Sequence, residues 1–211
     1  LSYLNDILED KRVLRSIISI YLVGVIGFIL IRPIIILLTP YILFLFGLVI
    51  LFKIFNDNGK KIIPLYVYIF FAGLFIEILG VNTGMIFGRY SYGNVLGPGI
   101  YGVPFLIGLN WVVVVFSWNY FASNVLRSRN FLFRSFIAST FAVIFDILME
   151  PSAVAFSFWK WDGSVPVQNY IAWFVISFLF SLSLKNVKFK SNLPWIYIIV
   201  QSIFFLILDI Y

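Results

Sequence analysis

The stretch IIILLTPYILFLFGLVILF, Ile34–Phe52, decides how the chain has to be read. It contains no charged side chain, and about twenty apolar residues are what a helix needs to cross the hydrocarbon core of a bilayer. Working outward, Val13–Ile31, Ile62–Gly80, Phe105–Ser123, Phe131–Met149, Val165–Leu184 and Trp195–Tyr211 share its character. The pattern predicts an all-α polytopic membrane bundle of about seven transmembrane helices, one transmembrane domain over residues 1–211. Pro33 stands near the start of the second stretch and Pro194 near the start of the seventh, where a missing N–H costs little. Pro40 lies inside the second stretch and predicts a kink there.

Composition agrees with an apolar solvent. Of 211 residues, 62% are apolar and only 11% charged, against the roughly one quarter charged that a soluble domain carries. The absence of Cys and His excludes disulfides, thiolate chemistry, His-ligated haem and the common zinc sites. No metal and no cofactor are expected, and any metal would have to sit on carboxylates. The net charge of +6 reports topology rather than a nucleic-acid partner. With the N-terminus inside, Lys11, Arg12, Arg15, Lys53, Lys60, Lys61, Arg127, Arg129, Arg134, Lys185, Lys188 and Lys190 fall on the inner side, and only Arg32, Arg89 and Lys160 fall outside. That bias predicts an N-in, C-out chain. Leu1–Asp10 is too polar for the core of a cleavable signal peptide. Leu1, Leu4, Ile7 and Leu8 recur at helical spacing, which suggests a short interfacial helix.

Two outer connections are long, Val81–Pro104 and Glu150–Ser164. Loops of that length in a compact bundle are usually functional or disordered, and their aromatic content argues against disorder. They also look alike. Tyr90 and Tyr92 follow Glu77 by 13 and 15 residues, and Trp159 and Trp161 follow Asp146 by the same intervals. Val103-Pro104 and Val165-Pro166 come next, then Asn110-Trp111 and Asn169 with Trp173. Two parallel helix-loop-helix repeats, 62–123 and 131–184, are the expectation.

An ionisable side chain at mid-depth in a membrane helix costs about 2.5–3.5 kcal/mol on insertion scales and needs a reason to be there. Glu77, Asp146 and Glu150 all fall toward the outer side of their stretches. Asp146 and Glu150 are four apart and share one helix face. A lone acid in such a place more often caps a helix or pairs with a cation, here Arg89 or Lys160. Three at one level favour chemistry, because neighbouring carboxyls out of water cannot all ionise, and one that keeps its proton can serve as a general acid. Asp209, near the C-terminal end, reads as solvated. Trp195, Tyr211, Tyr41 and Tyr66 read as interfacial-belt residues. Tyr90, Tyr92, Trp159 and Trp161, beside the acids, read as pocket residues whose faces can stabilise a cation or stack along a polyene or isoprenoid chain. Asn82, Asn110 and Asn169 can hold a water or satisfy backbone.

Several classes fall away. The stretch Trp195–Tyr211 has no Lys for a retinal Schiff base. Only Pro40 clearly interrupts a stretch, which gives poor support to the broken helices of a transporter. Asp146-x-x-x-Glu150 is like the carboxylate pairs of membrane prenyltransferases, but those need a second acidic motif and several basic residues for a diphosphate.

Glu77-Ile-Leu-Gly-Val-Asn-Thr-Gly, Phe87-Gly-Arg-Tyr-Ser-Tyr-Gly, Gly102-Val-Pro and Trp111, followed by Asp146-x-x-x-Glu150-Pro151, Trp159-x-Trp161, Val165-Pro166, Asn169 and Trp173, resemble in order the membrane carotenoid-biosynthesis protein family. That family includes carotenoid 1,2-hydratases of bacteria and haloarchaea. One departure is that Glu150 stands where the family pattern has Asp before the proline, one methylene longer in reach. The resemblance implies a cofactor-independent hydro-lyase in a prokaryotic cytoplasmic membrane, with carotenoid substrate and lipids as partners and no nucleic acid. It would add water across the terminal 1,2 double bond of an acyclic ψ end group, as in lycopene or γ-carotene. Asp146 would be the leading acid, and Glu77 and Glu150 would tune it and hold the water. Tyr90, Tyr92, Trp159 and Trp161 would shield the cation, and Arg89 would fix a carboxylate. Asn82, Asn110, Trp111, Asn169 and Trp173 complete the candidate substrate-binding set. Two alternatives stand beside it: another isoprenoid enzyme, a cyclase or prenyltransferase, and a non-enzymatic carotenoid or lipid carrier, which would not need the acids.

Overall fold

A computed structural model describes residues 2–127 and 130–210, with side chains from Lys11 onward. The side chains of Leu4, Ile7 and Leu8, and all of Leu1, Arg129 and Tyr211, lie outside the described residues. The helices are α1 (Ser2–Asn58), α2 (Ile63–Thr83), α3 (Phe105–Asn124), α4 (Phe131–Ala155), α5 (Val167–Ser183) and α6 (Leu193–Leu208). One turn of 3₁₀ helix, Gly59–Ile62, joins α1 to α2 without a loop, and Gly59 there has φ 69°, so the chain turns at the junction and the Tyr66 hydroxyl of α2 reaches back to donate to the Leu51 carbonyl of α1 at 2.8 Å.

The seven-span expectation is overturned. Among the described residues, three helical stretches are long and apolar enough to cross a membrane: Lys11–Thr83, Phe105–Asn124 and Phe131–Ala155. The expected stretches Val13–Ile31, Ile34–Phe52 and Ile62–Gly80 all lie in the first of them. The last two expected spans shorten to helices of 17 and 16 residues. At about 1.5 Å per residue neither reaches the ~30 Å of a hydrocarbon core. A count of apolar runs measures composition. It does not see where Pro166 and Asn192 start the last two helices, or that the first three runs follow one another with no loop between them. The N-in, C-out orientation rests on basic residues sorted by side across seven spans, and that sorting does not carry over to this architecture. The helices are nonetheless apolar on their outer faces, with Leu22, Val23, Ile26, Leu30, Leu37 and Phe71 about half or more exposed, which is consistent with membrane association.

The break in α1 is at Ile31, with φ −141° and ψ 46°, rather than at Pro40. Pro33 explains it, since its ring crowds the carbonyl one turn back and it brings no N–H. Arg32 then reaches the rings of Phe28 and Phe156, 5.2 and 5.4 Å from their centroids. The centre of the bundle is α3, where every residue from Trp111 to Tyr120 is buried. A helix apolar all round belongs inside, and α3 packs against α1, α2, α4, α5 and α6.

The long connections are not irregular. β1 (Tyr90–Tyr92) pairs antiparallel with β4 (Trp159–Trp161), and β2 (Gly99–Ile100) with β3 (Val103–Pro104). At the opposite end, Asp57 ties the α5–α6 connection down. Its Oδ2 accepts from the Tyr120 hydroxyl at 2.8 Å and from the backbone N–H groups of Lys190 and Ser191 at 3.1 and 2.9 Å. Hydrogen bonds to a charged group contribute about 1.5–3 kcal/mol. Asp57→Ala is therefore expected to cost about 2–3 kcal/mol, read as a lower thermal midpoint in detergent. An unchanged midpoint would show that the connection holds without it.

Candidate active site

Glu77 comes from α2, and Asp146 and Glu150 from consecutive turns of α4. All three are buried, at 3, 2 and 5% exposure, and line one cavity of about 60 Å³. A single water needs only about 10–15 Å³ by the same measure, so the cavity has room for water beside a narrow chain end. Glu150 belongs to α4 and not to the following loop, because α4 runs on through Pro151 to Ala155.

The β1–β4 ribbon covers the acids. Its register sets Tyr90 opposite Trp161 and Tyr92 opposite Trp159. Alternation along a strand puts these four side chains on one face. The rings pack at 5.0 Å between Tyr90 and Trp161 and 6.0 Å between Tyr92 and Trp159, and their polar tips point at carboxylates. The Tyr90 and Tyr92 hydroxyls both donate to Glu77 Oε2, Tyr92 at 2.9 Å. Trp159 Nε1 donates to Glu150 Oε1 at 2.7 Å, and Trp161 Nε1 donates to the same oxygen. Burial, and then the Glu77 charge, push both phenols well above the ordinary tyrosine range, so both stay neutral donors at physiological pH.

The bundle supplies the rest. Trp111 of α3 donates Nε1 to Glu77 Oε1 at 3.0 Å and stacks on Trp173 of α5 at 4.4 Å. Asn169, also on α5, donates to Asp146 Oδ2 at 2.7 Å. Glu77 thus takes three donors and Glu150 two. Asp146 takes one, leaving Oδ1 without a protein partner among the described residues. No Lys or Arg is among the cavity's lining residues. Among the described residues, no group of three or more carboxylates is placed to hold a metal ion.

Of the candidate residues, Glu77, Asp146, Glu150, Tyr90, Tyr92, Asn110, Trp111, Trp159, Trp161, Asn169 and Trp173 meet in this cavity. Asn82 and Arg89 do not. They are exposed and line a second, open cavity with Ser91, Lys160 and Asp162 on the outer face of the ribbon. Asn82 bonds the carbonyls of Ile78 and Tyr101 at 2.8 and 3.1 Å. Sequence reasoning missed Tyr197 and Gln201 of α6, which also line the acid cavity. Gln201 was legible as the one amide in a helix whose other side chains are apolar except Tyr197 and Ser202.

The geometry defines a class of site: buried carboxylic acids under an aromatic lid inside an apolar helical bundle. Residues 37–208 match the family model described as carotenoid biosynthesis protein, and the chain belongs to that family. It is 33% identical over 105 residues to the bisanhydrobacterioruberin hydratase of Haloarcula japonica, a match covering 46% of this chain and 36% of that protein. The chain thus matches about a third of that relative's length. No solved structure matches it.

Proposed function

We propose that the protein is a carotenoid 1,2-hydratase of a prokaryotic cytoplasmic membrane, acting on an acyclic ψ end group such as that of lycopene or γ-carotene. The observation that carries this reading is the meeting of three buried carboxyls and the ribbon's four aromatic side chains in one cavity. A relative named as a hydratase supports it. Asp146, whose second oxygen is free of protein partners, gives its proton to C2 of the terminal double bond, and the positive charge falls on the tertiary C1. The faces of the ribbon's aromatic rings stabilise that cation. Water attacks C1 through oxygen and loses a proton to a neighbouring carboxylate, Glu150 in the simplest arrangement. A C2–H bond and a C1–O bond form, one π bond is lost, and the net change is one added water. Glu77, occupied by Tyr90, Tyr92 and Trp111, holds the lid in place. The same reading treats the chain as one domain with two related helix-loop-helix halves, each contributing one strand of the lid.

Lycopene-producing cells expressing the chain are expected to accumulate pigments heavier by one water, measured by chromatography and mass spectrometry. Unchanged pigments with protein present in the membrane would overturn hydration of this substrate. A product of unchanged mass but altered spectrum would mean that the chain itself quenches the cation, as in a cyclase.

A further inference from the structure

Gln201 is only 2% exposed and lies on the wall of the cavity that holds Glu77, Asp146 and Glu150. The cavity's other buried polar side chains are engaged: Trp111, Trp159 and Asn169 each donate to a carboxylate. The Gln201 amide has no hydrogen-bond partner among the described residues. Buried amides are almost always bonded, and leaving one unbonded costs stability. An amide kept in that state on the wall of a cavity is satisfied by what enters it. An acyclic polyene offers it nothing to bond, but water does.

We infer that Gln201 holds the attacking water against C1 and thereby decides that the cation ends as an alcohol. The inference rests on the hydratase reading. The amide oxygen accepts one O–H of the water and a carboxylate accepts the other, which turns the oxygen lone pair toward C1. An amide does not take up the proton, so the carboxylate does. Removing Gln201 leaves protonation of C2 intact. The uncaptured cation then loses a proton from C2 or from a C1 methyl group and returns to an alkene.

The test is made in membranes supplied with lycopene in D₂O, comparing wild type with Gln201→Met, which keeps length and removes the polar atoms, and Gln201→Asn, which keeps an amide. Wild type gives alcohol carrying deuterium at C2. Gln201→Met is expected to lose about 10- to 100-fold of the alcohol, while recovered alkene still gains deuterium. Gln201→Asn is expected to lie between the two. A merely structural role would remove deuterium uptake and alcohol together, in both variants, and would overturn the proposal. So would alcohol formation by Gln201→Met within about twofold of wild type, which leaves the hydratase reading intact. No alcohol from wild type itself overturns the hydratase reading and this inference with it. If Gln201→Met does not reach the membrane, Gln201→Asn decides. Deuteration at the wild-type level with less alcohol supports the role, and equal loss of both overturns it.

Discussion

Asp146→Asn is expected to lower hydration by about 10²–10⁴-fold, the usual contribution of a positioned acid, with protein levels and thermal midpoint close to wild type. The substitution keeps shape. An asparagine oxygen at position 146 still accepts from Asn169, whose amide sits 2.7 Å from Oδ2. What is lost is the ability of the other oxygen to carry a proton and give it up. The same change at Glu77 would be a poorer experiment. Both of its oxygens already accept, from two tyrosine hydroxyls and the Trp111 indole. A glutamine NH₂ there would face donors, leaving buried groups unpaired at about 1–3 kcal/mol each. Loss of activity in Glu77→Gln would therefore mix chemistry with collapse of the lid. The measurement is the alcohol-to-alkene ratio per unit of folded protein. If Asp146→Asn hydrates within about threefold of wild type, far short of the loss an acid's removal causes, Asp146 is not the acid. Glu150, whose Oε2 receives neither indole, then becomes the residue to replace.

The acids were legible because a charged side chain in an apolar run stands out whatever the fold. The spacing of Tyr90 and Tyr92 from Glu77 was also informative, since those hydroxyls do bond Glu77. The matching intervals from Asp146 to Trp159 and Trp161 were not, since both indoles bond Glu150. The difference lies in α4, which continues past Pro151 and brings Glu150, one turn on, under the ribbon. Arg89 shows a second limit. It is one residue from Tyr90, and it was assigned a role beside the acids. Once Tyr90–Tyr92 is recognised as a strand, its two-residue period separates neighbours onto opposite faces. Ribbon pairing across residues 90–161 is long-range information that no local window contains. The helix count failed for a related reason. Hydropathy records that Val13–Ile31 and Ile34–Phe52 are apolar, and the non-helical Ile31 does separate them, but it does not record that the last two runs end as helices of only 17 and 16 residues.

Gly93→Ala is expected to be as damaging as losing an acid, although residue 93 touches no substrate. Gly93 follows β1, and its N–H donates to the Phe158 carbonyl at 2.8 Å, extending the ribbon by one bond. A Cβ at this position would lie 2.0 Å from the Ser157 carbonyl oxygen and 3.2 Å from its carbon. That obstacle is backbone and cannot rotate away as a side chain can. Ser157 itself has φ 60°, a conformation that non-glycine residues tolerate poorly, so the turn feeding β4 has little freedom to retreat. The strands must separate instead. Overpacking of this kind costs about 1–3 kcal/mol and sometimes more, to be read as a lower thermal midpoint. The functional loss should exceed what unfolding explains. Tyr92 and Trp159 are the paired residues next to the clash, and their polar tips locate Glu77 and Glu150. A displacement near 1 Å in such a site can cost about 10²-fold. Ser91→Ala, on the outer face of the same strand, is the control and is expected to behave as wild type. If Gly93→Ala keeps wild-type hydration per folded molecule while its midpoint falls, the ribbon only stabilises the fold. The aromatic lid would then have no part in protecting the cation, and the chemistry would rest on the helices alone.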